Sequence, residues 1–264
     1  MKAPTLAEPP HLLQDLKTLQ LPTIAEHWER QAQEALRSRS GPQEYLAGLV
    51  GLEVQQRREK RIRRLIGDAR FPVLKTLDAF DFTGQPGVHR DTVLELAQGA
   101  FVARHENAVL IGGVGTGKTH LAIALGVACC QNLNRVRFIT AAELTNALVE
   151  AKQQGRLASK QEHFARFDLI VIDELGYVPF DKPGADLLFG LVSKVYERKS
   201  LIVTTNLPFA RWSEVFHDAT AAAAVIDRVV HHATILKLEG ESYRLKSAKG
   251  SARRGRTPEA KVEA

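Results

Sequence analysis

The feature that most constrains this chain is the run Gly112-Gly113-Val114-Gly115-Thr116-Gly117-Lys118-Thr119, which satisfies the pattern G-x-x-x-x-G-K-[ST]. Its flanks matter as much as the match. The apolar run Ala108–Ile111 precedes it, and the apolar stretch Lys118–Gln131, of helical length, follows it. A strand that turns through glycines into a helix aims backbone N–H groups and the positive end of the helix dipole at one spot, which suits phosphate oxygens. The nucleotide-binding stretch is therefore Gly112 to His120. Lys118 is positioned to bridge the β- and γ-phosphates, and the Thr119 hydroxyl to ligate Mg²⁺.

A phosphate loop needs a parallel sheet behind it, and the texture from Asp91 onward supplies one. Short apolar runs at Ala108–Ile111, Val136–Ile139, Leu169–Ile172, Leu201–Thr204 and Thr234–Leu238 alternate with helical stretches at about Lys118–Gln131, Ala141–Lys152, Gly184–Arg198 and Ala219–Val230. Continuous apolar runs are what strands buried on both faces look like. The expected architecture is α/β, with a five-stranded parallel sheet between helices.

Two of these strands end in polar side chains at the sheet edge where ligands bind in open α/β folds. Leu169-Ile-Val-Ile-Asp173-Glu174 puts Asp173 where a Mg²⁺-holding aspartate belongs and Glu174 where a group can polarise a water toward the γ-phosphate. Read alone, an apolar run ending in Asp-Glu is also a strand meeting a turn. Leu201-Ile-Val-Thr204-Thr205-Asn206 offers Asn206 as a residue that orients the attacking water; the other reading is a turn-initiating asparagine before Leu207-Pro208. No Asn-Lys-x-Asp guanine-reading motif occurs, which disfavours a guanine nucleotide.

Ahead of the sheet the pattern is all helical. Leu12, Leu16 and Leu19, then Ile24, Trp28, Ala32 and Ala35, read as two amphipathic helices. A third starts at Ser40, with Ser40 and Gln43 at capping-box spacing and Pro42 in its first turn, and runs toward Arg64 before Phe71-Pro72. Its first turns, with Tyr45, Leu46, Leu49 and Val50, are expected to be buried and its basic end projected. The domain reading is a helical region over 1–80, a Gly/Pro-containing linker over 81–90, a nucleotide domain over 91–246, and a disordered basic tail over 247–264.

Among 264 residues, 44% are hydrophobic and 25% charged, an ordinary globular composition. The longest apolar stretch, Leu121–Cys130, falls short of the about 20 residues that span a bilayer, and no export signal follows Lys2. The two cysteines, Cys129 and Cys130, are neighbours on an expected buried helix, a poor disulfide geometry. A cytoplasmic protein without membrane partners is the expectation. Lys plus Arg number 36 against 30 Asp plus Glu. Much of the excess sits at Arg57, Arg58, Lys60, Arg61, Arg63 and Arg64, a stretch that reads either as a solvated helix face or as a contact for double-stranded DNA phosphates. His231 and His232 have no Cys or His neighbours at ligand spacing and read as helix-end residues.

Over roughly residues 10 to 246 the chain resembles the IstB-type AAA+ ATPases, the transposition helper proteins of bacterial insertion sequences, which are related to DnaC-type helicase loaders. The resemblance is carried by Gly112 to Thr119, Phe167-Asp-Leu-Ile-Val-Ile-Asp173-Glu174-Leu-Gly-Tyr, Thr204-Thr-Asn206-Leu-Pro-Phe and Ile226-Asp-Arg228-Val-Val-His-His-Ala. It implies ATP with Mg²⁺ as cofactors, hydrolysis to ADP, and an ATP-dependent helical or ring-like homo-oligomer on DNA that recruits a partner transposase. It also implies that Arg228 is an arginine finger acting on a neighbouring subunit's nucleotide, and that Arg244, in Glu241-Ser-Tyr-Arg244, contacts the chain's own nucleotide. The family's loop commonly carries two prolines where Gly113-Val114 stand, a change that leaves the backbone N–H groups available. A helicase loader is the alternative, and the Arg-rich second half of the third helix favours the transposition family.

Overall fold

The computed structural model describes residues 11–240, apart from Val178 and His217, together with Ser242. Arg244 and the 247–264 tail lie outside these residues. Contacts divide the chain between Arg64 and Leu65 into two compact units.

The first unit contains α1 (Leu12–Thr18), α2 (Pro22–Ser38) and most of α3 (Pro42–Ala69). The expected capping at the start of α3 is displaced by one residue. The Gly41 N–H donates to Glu44 Oε2 at 3.3 Å, while Ser40 Oγ lies 2.9 Å from Ser38 Oγ. The expected burial of the first turns is also narrower than the apolar content suggests. Leu49 is buried and the Tyr45 hydroxyl donates to the Trp28 carbonyl at 3.3 Å, but Leu46 and Val50 are exposed.

α2 begins at Leu21 without a side-chain cap of its own. The missing acceptor comes from α3: buried Glu53 accepts from the N–H groups of Thr23 at 2.9 Å and Ile24 at 3.2 Å, and pairs with Arg57 Nε at 2.8 Å. Burial pushes the Glu53 carboxyl up, but Arg57 and the two N–H groups outweigh it and hold it below its ordinary 4.5. Glu53→Ala leaves two helix N–H groups without partners. We expect a loss of about 2 kcal/mol, read as faster amide exchange across 22–38. Because the folded carboxyl is depressed, its stabilisation is complete above pH 4.5 and fades as pH falls through the lowered value. Glu53→Gln should remove that acid dependence.

In the second unit, β1 (Asn107–Gly112), β2 (Val136–Thr140), β3 (Leu169–Leu175), β4 (Ser200–Thr205) and β5 (Ala233–Leu238) form one parallel sheet in the order β2-β3-β4-β1-β5. Successive strand residues point to opposite faces. Ala108 and Leu110 of β1, Leu169 and Val171 of β3, and Ile202 of β4 enter one core, with α6 (Lys118–Gln131), α4 (Arg90–Ala97), α5 (Ala100–Ala103) and Leu65 and Ala69 of α3. Val109, Ile170, Ile172, Leu201 and Val203 enter the other, with α7 (Ala141–Gln153), α8 (Leu157–Ala165), α9 (Lys182–Val195), α10 (Ser213–Phe216) and α11 (Ala219–Val230). A strand that feeds two cores must be apolar at every position, hence the continuous runs in the sequence. Burial in the first core pushes the thiols of Cys129 and Cys130 up to about 12, so both stay protonated and inert. Among the described residues no helix is long and apolar enough to cross a membrane.

The stretch read as a linker is packed structure. Phe80 and Val88 are buried in the first core, and buried Gln85 donates from Nε2 to the Thr116 carbonyl at 2.9 Å. Residues 65–90 therefore belong with the sheet rather than with the helical unit. Their Gly, Pro and Asp content signalled irregular backbone correctly, but irregular backbone is not free backbone.

Candidate nucleotide-binding site

The loop after β1 turns twice through left-handed backbone, at Gly115 (φ 79°) and at Gly117 (φ 98°), which caps α6. A side chain at Gly117 is excluded twice over, since the conformation strains any L residue and a Cβ would stand 3.0 Å from the Phe80 ring. Thr116 ties the loop to itself by donating to the Gly113 carbonyl at 2.9 Å. The Lys118 ammonium reaches back over the loop, 2.8 Å from the Gly112 carbonyl and 2.7 Å from that of Gly113. The loop opens on two sides. On one lies a cavity of about 530 Å³ lined by Val73, Ala79, Phe80, Gln85, His120 and Ile123, a volume suited to a nucleoside. His120 is held there by Thr76 (Nε2 to the carbonyl, 3.1 Å) and by an edge contact with Phe80 at 5.5 Å. On the other side a cavity of about 1270 Å³ includes Thr119, Asp173 and Glu174.

Strand order explains how those three residues meet. β4 lies between β1 and β3, so Asp173 is one strand removed from the loop, and β4 supplies the bridge. The buried Thr204 hydroxyl donates to Asp173 Oδ1 at 2.5 Å and accepts the Glu174 N–H at 2.9 Å. Thr119 Oγ1 lies 3.1 Å from the same Asp173 oxygen. Two hard oxygen donors at that spacing fit adjacent corners of an octahedron with bonds of about 2.0–2.1 Å, the preference of Mg²⁺. At Glu174 the β3–β4 register shifts and the backbone turns left-handed (φ 60°). That irregularity turns the Glu174 side chain outward while Asp173 stays buried, so the two neighbouring carboxylates occupy different environments. Asn206 follows β4 at the same end of the sheet and is half-buried.

Thr204, Phe80 and Gln85 were not assigned roles from the sequence. Thr204 stood inside a quoted motif, and its polarity at the end of an apolar strand was the available signal. Phe80 and Gln85 carried none.

Arg228 is not brought to this site. It lies in the last turn of α11, its Nη1 donating to the Ala224 carbonyl at 2.8 Å and its guanidinium 5.0 Å over the Phe189 ring. The Arg228 carbonyl accepts from Asn107 Nδ2 at 3.4 Å, at the first residue of β1. The phosphate loop leaves the last residue of β1, five steps of about 3.3 Å away. That is farther than an arginine side chain extends, so Arg228 cannot serve the loop of its own chain.

Of the basic stretch on α3, all six side chains are exposed. Arg57 is already engaged, with Glu53 and with the Gln20 carbonyl. Lys60, Arg61, Arg63 and Arg64 make no ion pair among the described residues.

The family model for IstB-like ATP binding proteins matches residues 14–251. The insertion sequence IS21 putative ATP-binding protein of Pseudomonas aeruginosa is 40% identical over 231 residues, 88% of this chain and 87% of that one. The corresponding IS5376 protein of Geobacillus stearothermophilus is 38% identical over 228 residues, 86% and 91% of the two chains. Among solved structures, DnaI aligns with a TM-score of 0.54 at 18% identity over 67% of this chain and 94% of its own. AMPPCP-bound DnaA from Aquifex aeolicus aligns at 0.52 and 20%, over 71% and 57%. These two likenesses show a shared fold. With the loop, the buried aspartate and a matched span that takes in both units, the chain belongs to the IstB-like ATP-binding proteins.

Proposed function

We propose that this protein hydrolyses ATP to control its own assembly on double-stranded DNA, and that the assembly recruits a transposase to the target. The observation that carries the reading is the division of labour across the sheet. One end holds the phosphate loop, Asp173 and Glu174, while Arg228 stands at the other. Because Arg228 cannot reach that site in its own chain, a second chain would supply it, which couples cleavage to oligomerisation.

The backbone N–H groups of Gly113 to Thr119 and the Lys118 ammonium bind the phosphates. Thr119 and Asp173 would hold Mg²⁺, which would supply positive charge to the phosphates. Glu174 accepts a proton from the attacking water, and Asn206 orients that water. Arg228 of a neighbouring subunit stabilises charge on the transferred phosphoryl group. Arg244 contributes to the same nucleotide. Arg58, Lys60, Arg61, Arg63 and Arg64 of α3 contact DNA phosphates, with Arg57 shared between that role and Glu53. The insertion-sequence names of the relatives support transposition over helicase loading.

The test is duplex binding by the full chain with no nucleotide, ATP, ADP and a non-hydrolysable analogue, across salt. We expect large complexes with ATP or the analogue alone. Lys118→Ala should lose ATP affinity by at least about tenfold and with it the ATP-dependent DNA binding. Replacing Arg61, Arg63 and Arg64 by Ala should flatten the salt slope by about 0.9 per lost phosphate contact. Retention of both ATP and DNA binding by Lys118→Ala overturns the mechanism.

A further inference from the structure

His231 and His232 sit where α11 ends and β5 begins, and the fold brings a third donor to them. Glu197, in the turn between α9 and β4, offers a carboxylate oxygen. One ligand atom from each of the three residues lies within 4.8 Å of the others, and all three side chains are exposed. The imidazoles face each other with ring centroids 4.0 Å apart. The Nδ1 of His231 lies 2.8 Å from the Tyr196 hydroxyl and 4.0 Å from Glu197 Oε1, and that hydroxyl also bonds the Glu197 carboxylate, so an ion here would displace the tyrosine from between them. Glu197 is presented by left-handed backbone (φ 55°), an unusual conformation for a glutamate.

We propose that Glu197, His231 and His232 form a surface site for a divalent cation of the Zn²⁺ class. Two imidazoles and one carboxylate are the donor set of three-ligand zinc sites, which leave a fourth position for water or another donor. Imidazole nitrogen selects Zn²⁺, Ni²⁺ and Cu²⁺ over Mg²⁺ and Ca²⁺, so this site is chemically distinct from the all-oxygen pair Thr119 and Asp173. Donors around a tetrahedral ion with bonds of about 2.0–2.2 Å stand about 3.4 Å apart, so closing the site takes rotations of the three exposed side chains. It is also distant from the nucleotide, because the His232 carbonyl accepts from the Asn107 N–H at 2.7 Å at the opening of β1.

The site links two segments that otherwise meet here through exposed side chains, the α9–β4 turn and the end of α11. Arg228 lies one turn before His231 on that helix. An ion held by both segments would fasten the helix end that carries Arg228. This consequence for hydrolysis rests on the proposed role of Arg228; the binding itself does not.

The experiment uses the untagged full chain, stripped of metal and free of nucleotide, in competition with a chromophoric chelator for Zn²⁺. We expect one Zn²⁺ per chain, undisturbed by millimolar Mg²⁺. His232→Ala and Glu197→Gln should each weaken it at least about tenfold, whereas Asp173→Asn should leave it unchanged. Because all three side chains are exposed, these variants should keep the circular dichroism of the parent. Absence of stoichiometric Zn²⁺ binding, or binding that survives His231→Ala combined with His232→Ala, overturns the proposal. Loss of binding in Asp173→Asn overturns it equally, by moving the ion to the nucleotide site.

Discussion

Glu174→Gln should slow ATP hydrolysis by about 10²- to 10⁴-fold, the usual worth of a positioned general base, while ATP affinity changes little. The separation follows from the geometry. Glu174 is exposed, is attached to the Thr204 hydroxyl by its backbone N–H rather than its carboxylate, and lies outside the Thr119–Asp173 pair that suits the metal. An amide of the same shape preserves that backbone bond and loses only the ability to take a proton. The variant should therefore accumulate as an ATP-bound assembly on DNA, measured as complexes that persist after the wild type has dissociated. Asp173→Asn makes the informative contrast: it weakens an oxygen donor shared by Thr119 and Thr204, so its defect should lie in Mg²⁺-dependent nucleotide binding. Wild-type turnover in Glu174→Gln would remove this residue from the mechanism.

Arg228→Ala should be at least as severe, about 10³-fold or more, as for other arginines supplied to a phosphoryl group from a second subunit. Such a loss cannot come from direct contact with the chain's own phosphate loop, since the residue lies at the far end of β1. It is tested by mixing. Arg228→Ala chains retain an intact phosphate loop, and Lys118→Ala chains retain the arginine, so each is inactive alone. In an equimolar mixture about one interface in four combines the intact halves of a head-to-tail contact, and turnover should recover to about that fraction. A purely structural arginine, bonded to Ala224 and stacked on Phe189, predicts no recovery and a lowered melting temperature instead.

The two carboxylates differ in how legible they were. Both were visible as Asp173-Glu174 at the end of an apolar run, and strand periodicity assigns neighbouring residues to opposite sides. What assigned their environments was the shifted register and the left-handed turn at Glu174, together with a threonine of the next strand, 30 residues on. Arg228 shows the reverse. The resemblance implies its role, and its place at the far end of β1 is why that role would need a second chain.

The sequence by itself determined the phosphate loop, the five strands and four of the helices between them, but not α8 or α10. Each of these rests on local spacing: glycines at fixed intervals, apolar runs of strand length, and helical repeats within a few residues. Only the tertiary structure decided which strand stands between β1 and β3, that Thr204 joins the Asp173 carboxylate to the Glu174 backbone N–H, that Glu53 caps a helix it does not belong to, and that Glu197 meets the histidine pair. It also turned the supposed linker into a wall of the nucleotide pocket. These contacts join residues far apart in the chain, and such pairings leave no periodic trace, because the fold makes them by closing loops rather than by repeating a pattern.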